Sequence, residues 1–170
     1  DDAIASCRNA ISLKPDFPEA YNNLGKALKE RGRLDDAAVS FRQAITLKPD
    51  DSEAHGNLGG VLASMGLFDE AKTSHLRALE IEPHALKHAI HAHLRLPAIL
   101  ESADTVDAWR DRYRTGLAVL ANVPGSLDDA GLNINTSAFY LAYHDRNDRP
   151  IMSELHDFFR KRAPELTLAA

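Results

Sequence analysis

Apolar residues recur along the first half of the chain in steps of three and four, in blocks that stop at Pro15, Pro49 and Pro83. The prolines are equally spaced, since 49 − 15 = 34 and 83 − 49 = 34. Steps of three and four put side chains on one face of a helix. Their return at a fixed 34-residue period predicts a helix–turn–helix array.

Superposing the blocks shows what recurs. Tyr21-Asn22-Asn23-Leu24-Gly25 returns as His55-Gly56-Asn57-Leu58-Gly59, Leu28 as Leu62, and Gly32 as Gly66. Ala3, Cys7, Ala10 and Ile11 align with Ala37, Phe41, Ala44 and Ile45, then with Ala71, His75, Ala78 and Leu79. Glycine and alanine columns mark places where two helices approach closely; Leu24, Leu28, Phe41 and Ile45 fill the space between them. Gly32 and Gly66 suit a tight turn after each first helix, and each proline stops a second helix. Asp16-Phe17-Pro18-Glu19 and Asp50-Asp51-Ser52-Glu53 both read D-x-x-E, so Asp16 and Asp50 are the expected caps of the first helices. Asp35-Asp36 and Asp69-Glu70 place negative charge in the first turn of each second helix, where the helix dipole favours it.

These columns resemble the tetratricopeptide repeat. The resemblance implies an all-α fold, a right-handed helix–turn–helix solenoid followed by a small helical extension. Two full repeats are expected at 16–49 and 50–83, after the second helix of a truncated repeat at 1–15. A lone amphipathic helix of that length cannot bury its apolar stripe. Further repeats are therefore expected upstream, and the lack of a signal peptide in a chain without an initiator Met carries no information.

Composition narrows the partners. Among 170 residues the net charge is −5, and no basic stripe with interleaved aromatics occurs, which argues against nucleic acid. No apolar run approaches membrane-spanning length. The single cysteine, Cys7, excludes an internal disulfide framework and sits in a packing column, so a reducing, cytoplasmic compartment is expected.

In tetratricopeptide arrays the first helix of each hairpin lines the concave face. Off the Leu/Gly stripe lie Glu19, Asn22, Asn23, Lys26, Lys29 and Glu30, then Glu53, Gly56, Asn57, Gly60, Ala63 and Ser64. Asn23 recurs as Asn57; an amide there can donate and accept at once, which suits the backbone of an extended peptide. Another step of 34 reaches His91. Asn22, Asn23, Lys26, Lys29, Asn57 and His91 are thus the expected peptide-binding residues. The plain alternative for Asn23 and Asn57 is local backbone satisfaction. An asparagine ladder at this place resembles the arm of O-GlcNAc transferases, where it holds the substrate polypeptide. The clamp that other tetratricopeptide domains build for a C-terminal carboxylate has Lys or Arg where this chain has Asn22 and Gly56, so it is not assembled here.

Beyond Pro83 the period decays. Ala85 to Leu96 reads as one helix with Leu86, Ala89, Ile90 and Ala92 on its buried face, a capping helix over 84–96. His84, His88 and His91 share a helical face, but neither Cys nor an HExxH arrangement accompanies them, so surface and groove roles are expected over a metal site. A helix from Ser102 to about Ala121 buries Val106, Trp109, Tyr113, Leu117 and Leu120. Residues 126–138 read as loop, Asn135-Thr136-Ser137 as a discounted glycosylation match, and 138–143 as strand or helix. Pro150 opens a last helix with Ile151, Met152, Leu155, Phe158 and Phe159 inward, ended by Pro164.

The order Leu96-Pro97-Ala98-Ile99, Arg112-Tyr113, Phe139-Tyr140-Leu141-Ala142-Tyr143-His144 and Arg146-Asn147-Asp148-Arg149 resembles the bacterial O-GlcNAc transferase-like (SPINDLY-type) proteins. There it joins the repeats to a catalytic region, which makes 97–170 a mainly helical linker before a missing downstream domain. The resemblance implies a parent that moves a sugar from a nucleotide sugar to protein Ser/Thr. No Gly-rich phosphate cradle or βαβ pattern occurs, and His144 and Asp145 lack a second group. No cofactor and no catalytic residue is therefore expected in this chain. The expected partner is an extended segment of another protein. The alternatives are a non-enzymatic adaptor or scaffold, and self-association through the open N-terminal repeat.

Overall fold

A computed structural model describes residues 2–94, 103–123 and 147–162, and among them every regular element is helical. The chain divides into two compact units, residues 1–82 and 83–170. The first holds α1 (Asp2–Leu13), α2 (Pro18–Glu30), α3 (Leu34–Leu47), α4 (Ser52–Ser64) and α5 (Phe68–Ile81). The second holds α6 (Leu86–His93), α7 (Ala103–Leu120) and α8 (Arg149–Arg162).

In the first unit each helix packs on the next in chain order, and α2 also touches α4 across the intervening hairpin. This is a helix–turn–helix solenoid. Its repeat rests on close approaches: a Cβ on Gly25 would lie 2.6 Å from the Phe41 ring, and one on Gly59 would lie 2.8 Å from the His75 ring. Phe41, Ala37 and Ala44 are completely buried between the helices, with Leu24, Leu28, Leu58, Val61 and Leu62 around them. The hairpin turns need Gly32 (φ 72°) and Gly66 (φ 81°), a left-handed conformation that a Cβ disfavours. Each second helix ends two residues before its proline, at Leu13, Leu47 and Ile81.

The caps differ from the sequence expectation. The N-cap of α4 is Asp51, whose carboxylate accepts the Ala54 N–H at 3.0 Å, and not Asp50. Ahead of α2 the N-cap is Phe17, with no side-chain cap, and Pro18 opens the helix. Proline's fixed φ begins the helix unaided and removes one of the donors a cap would have satisfied.

In the second unit, α6 lies on α7 where the His93 carbonyl meets Gly116. Arg110 on α7 pairs with Asp148 just ahead of α8 and donates to the Asn147 carbonyl at 3.0 Å. At the other end, Arg162 of α8 donates to the Ala121 carbonyl at 3.1 Å, satisfying an acceptor beyond the last turn of α7. Tyr113, Leu117, Leu120, Ile151, Leu155 and Phe158 are buried, whereas Met152 is 43% exposed, not inward. Trp109 is only half-buried, with the Arg112 guanidinium 4.5 Å from its ring centroid. The readings made for 126–138, for Asn135, for 138–143, and for His144, Asp145 and Arg146 lie outside the described residues, as do Leu96-Pro97 and Pro164.

Candidate functional site

The face predicted to bind is built by α2 and α4, the first helices of successive hairpins. Polar contacts cross from one to the other. Asn57 on α4 donates its Nδ2–H to Asn22 Oδ1 on α2 at 3.0 Å. Lys26 on α2 pairs with Glu53 on α4. Lys29 Nζ lies 3.7 Å from where a Cβ on Gly60 would stand, so the lysine stem spans the space the glycine leaves. The Lys26–Glu53 pair is about half exposed and contributes on the order of 0–1 kcal/mol.

The expected binding residues are not equivalent. Asn23 is exposed and Asn57 half-buried, while Asn22 is only 5% exposed, its carbonyl occupied by Asn57. Asn22 is therefore a buried member of the seam and not an open contact. Lys29 is exposed, and Lys26 half-buried within its ion pair. His91 belongs to α6 in the second unit and is half-buried. Of the other groove candidates, Glu19, Glu30, Glu53 and Ser64 are exposed and Gly56 and Gly60 half-buried. Ala63 is a core residue, packed among Leu58, Val61 and Leu62. Its small apolar side chain fits either place, and only the packing decides.

The histidines on α6 and just ahead of it also separate. His84 is exposed, but His88 is buried, contrary to the expected surface role. On α6 it sits beside Ala89 and Ile90, which are buried with it. Among the described residues no group of three or more His, Cys, Asp or Glu side chains is arranged to hold a metal ion. Between α7 and α8 the second unit carries a cavity of about 500 Å³, floored by Leu117, Ala118 and Phe158. No described helix is long and apolar enough to cross a membrane.

Two partnerships escaped the sequence reading: Asn57 with Asn22, and Glu53 with Lys26. The second left a trace, opposite charges on the same face of adjacent repeats. The first left none, because Asn22 and Asn23 are adjacent and chemically identical.

Comparison with known proteins identifies the repeats. Models described as TPR repeat and tetratricopeptide repeat match residues 1–30 and 25–66, and residues 52–84. Residues 1–84 thus carry tetratricopeptide repeats, which generally mediate protein–protein interaction. No curated protein sequence matches the chain. Among solved structures it is similar to two of MamA, each at 23% identity and TM-score 0.59. One match covers 71% of this chain and 66% of that protein, the other 70% and 61%; the likeness is one of fold. It is also similar to a mutant of the Thermobaculum terrenum O-GlcNAc transferase, at 29% identity and TM-score 0.52. That match covers 65% of this chain and 22% of the transferase.

Proposed function

We propose that the α2–α4 face holds an extended segment of another protein, and that the chain is the substrate-recruiting arm and linker of an O-GlcNAc transferase-like glycosyltransferase. The observation that carries this reading is the pair of amides at one repeat position: Asn23 exposed, Asn57 half-exposed and already oriented. An amide in that setting matches the alternating N–H and C=O groups of a main chain. Likeness to the bacterial transferase and the order of residues 96–149 support the fuller form. Under this reading His91 stands one further 34-residue step along the sequence from Asn57. Nucleotide-sugar chemistry belongs to a further domain, and the setting is a reducing cytoplasm.

Replacing both Asn23 and Asn57 by alanine tests the groove. Two hydrogen bonds of about 1 kcal/mol each correspond to roughly a thirtyfold loss of peptide affinity. The double variant leaves the buried Asn22 oxygen without its donor, so it is expected to stay folded with stability lowered by about 1–3 kcal/mol, and undiminished capture refutes the groove. The transferase assignment is tested by the coding sequence beyond Ala170. A nucleotide-sugar-binding α/β region supports it; a stop codon leaves the adaptor reading.

One observation favours a second reading, self-association through α1. Ala3 is exposed and Cys7 and Ala10 half-buried, whereas their equivalents Ala37, Phe41 and Ala44 are wholly covered. A second copy packed on that stripe would complete the coverage. Sedimentation equilibrium over a wide concentration range decides it, and a mass that stays monomeric throughout rejects it.

A further inference from the structure

We infer that Asn22 is a positioning residue: its buried carbonyl holds one N–H of the Asn57 amide, so that Asn57 is oriented in advance and keeps its Oδ1 and its second N–H for a bound main chain. The inference rests on the groove reading above and adds to it the residue that builds the rung.

Asn22 is 5% exposed, so a passing peptide does not reach it. Its Oδ1 accepts the Asn57 Nδ2–H at 3.0 Å, from a residue 35 positions away in the next repeat. A primary amide has two N–H donors and one oxygen with two lone pairs. The torsion that turns it is broad and nearly two-fold, so an isolated surface asparagine presents oxygen or nitrogen almost indifferently. Against the Asn22 carbonyl in its observed orientation the two orientations of Asn57 are no longer equal. One makes the observed bond; the other sets oxygen against oxygen. The bond therefore selects the orientation in which Asn57 keeps its Oδ1 and one N–H for other partners.

Burial makes this selection firm. A hydrogen bond shielded from water is stronger, and breaking it strands a polar group. The Lys26–Glu53 pair crosses the same seam. Asn23, one residue from Asn22 but exposed, makes no such bond. The two rungs then differ in character: Asn23 adapts, and Asn57 is set in advance. Fixing a side chain before binding removes part of the ordering cost from the binding step.

The test uses the full chain and an immobilised library of unstructured random-sequence peptides, from which binders are selected on the wild-type protein. Asn22→Ala is expected to weaken a selected peptide about fivefold, the value of one hydrogen bond of about 1 kcal/mol. It should weaken it no further when Asn57→Ala is already present. Asn22→Asp keeps an acceptor for the Asn57 N–H and removes the donors, so it should retain binding. In the free protein, one Asn57 side-chain amide proton should exchange slowly with water, in wild type and Asn22→Asp but not in Asn22→Ala. Asn22→Leu keeps the volume without the acceptor and gives the same comparison where the alanine variant loses stability. Losses from Asn22→Ala and Asn57→Ala that simply add, or an Asn22→Asp variant as weak as Asn22→Ala, overturn the positioning role and leave the groove standing. If no peptide is captured, or Asn57→Ala binds as wild type, the groove reading falls and this inference with it.

Discussion

Phe41 occupies the space that a side chain on Gly25 would need: a Cβ there would stand 2.6 Å from the ring's Cε1 and 2.7 Å from its Cζ. The ring is fully buried and cannot swing aside, so Gly25→Ala must push α2 and α3 apart or force a strained rotamer. Overpacking of this kind costs about 1–3 kcal/mol. Alanine's better helix propensity returns about 1 kcal/mol. A net loss is expected in urea denaturation. Gly60→Ala is the counter-case, because only the Lys29 ammonium comes near, at 3.7 Å. There the propensity gain should stand, with the midpoint unchanged or raised.

The start of α4 yields a sharper comparison between two neighbours. Asp51 accepts the Ala54 N–H, and Asp50 is exposed with no such bond. Asp51→Ala should cost about 1 kcal/mol, the usual value of an N-cap. Asp50→Ala should stay within about 0.5 kcal/mol of wild type, as exposed substitutions do. Equal losses in thermal denaturation would contradict the cap.

The two units differ in how far the sequence disclosed them. Gly25 with Phe41, Gly32, Gly66 and the prolines each appear twice or more at a fixed interval, and repetition separates a packing requirement from accident. The cap misplaced by one residue is of another kind: Asp50 has Glu53 three residues on and fits D-x-x-E, yet the backbone turn puts its neighbour Asp51 at the cap. Burial of Asn22 beside exposed Asn23 depends on how α4 crosses α2, which no local pattern records. In the second unit nothing repeats. Periodicity alone placed Ile151, Leu155 and Phe158 correctly, yet counted the exposed Met152 with them. A methionine's hydrophobicity is as compatible with a rim as with a core.

Asn147 and Asp148 have a structural task. Arg110 is 14% exposed and Asp148 16%, and the guanidinium binds both the carboxylate and the Asn147 carbonyl. Asp148→Ala leaves a largely buried guanidinium with its carbonyl partner alone. Hydrogen bonds to charged groups contribute about 1.5–3 kcal/mol, and a loss in that range is expected. Hydrogen exchange should speed up in α7 and α8. If α2 and α3 quickened equally, the pair would not be a local clasp of the second unit.

Tyr113 presents the opposite case, a polar group with nothing to bind. It is 1% exposed, and its hydroxyl has no hydrogen-bond partner among the described residues. Burial disfavours the phenolate and pushes its ionisation well above the usual value of 10.0. The sign of the linkage follows. In the unfolded chain the phenol loses its proton near the usual value, while in the folded chain it keeps it, so the folded state binds more protons above that pH. Stability is then fully present below about pH 10 and falls as pH rises beyond it. Tyr113→Phe removes both the stranded hydroxyl and the titration. It should be neutral or stabilising by about 1 kcal/mol at neutral pH, because no bond is lost and a desolvation cost disappears. Chemical denaturation of both proteins from neutral to strongly alkaline pH gives the check. The alkaline decline should be shallower in the variant, and parallel curves would mean that the hydroxyl reaches water or a partner.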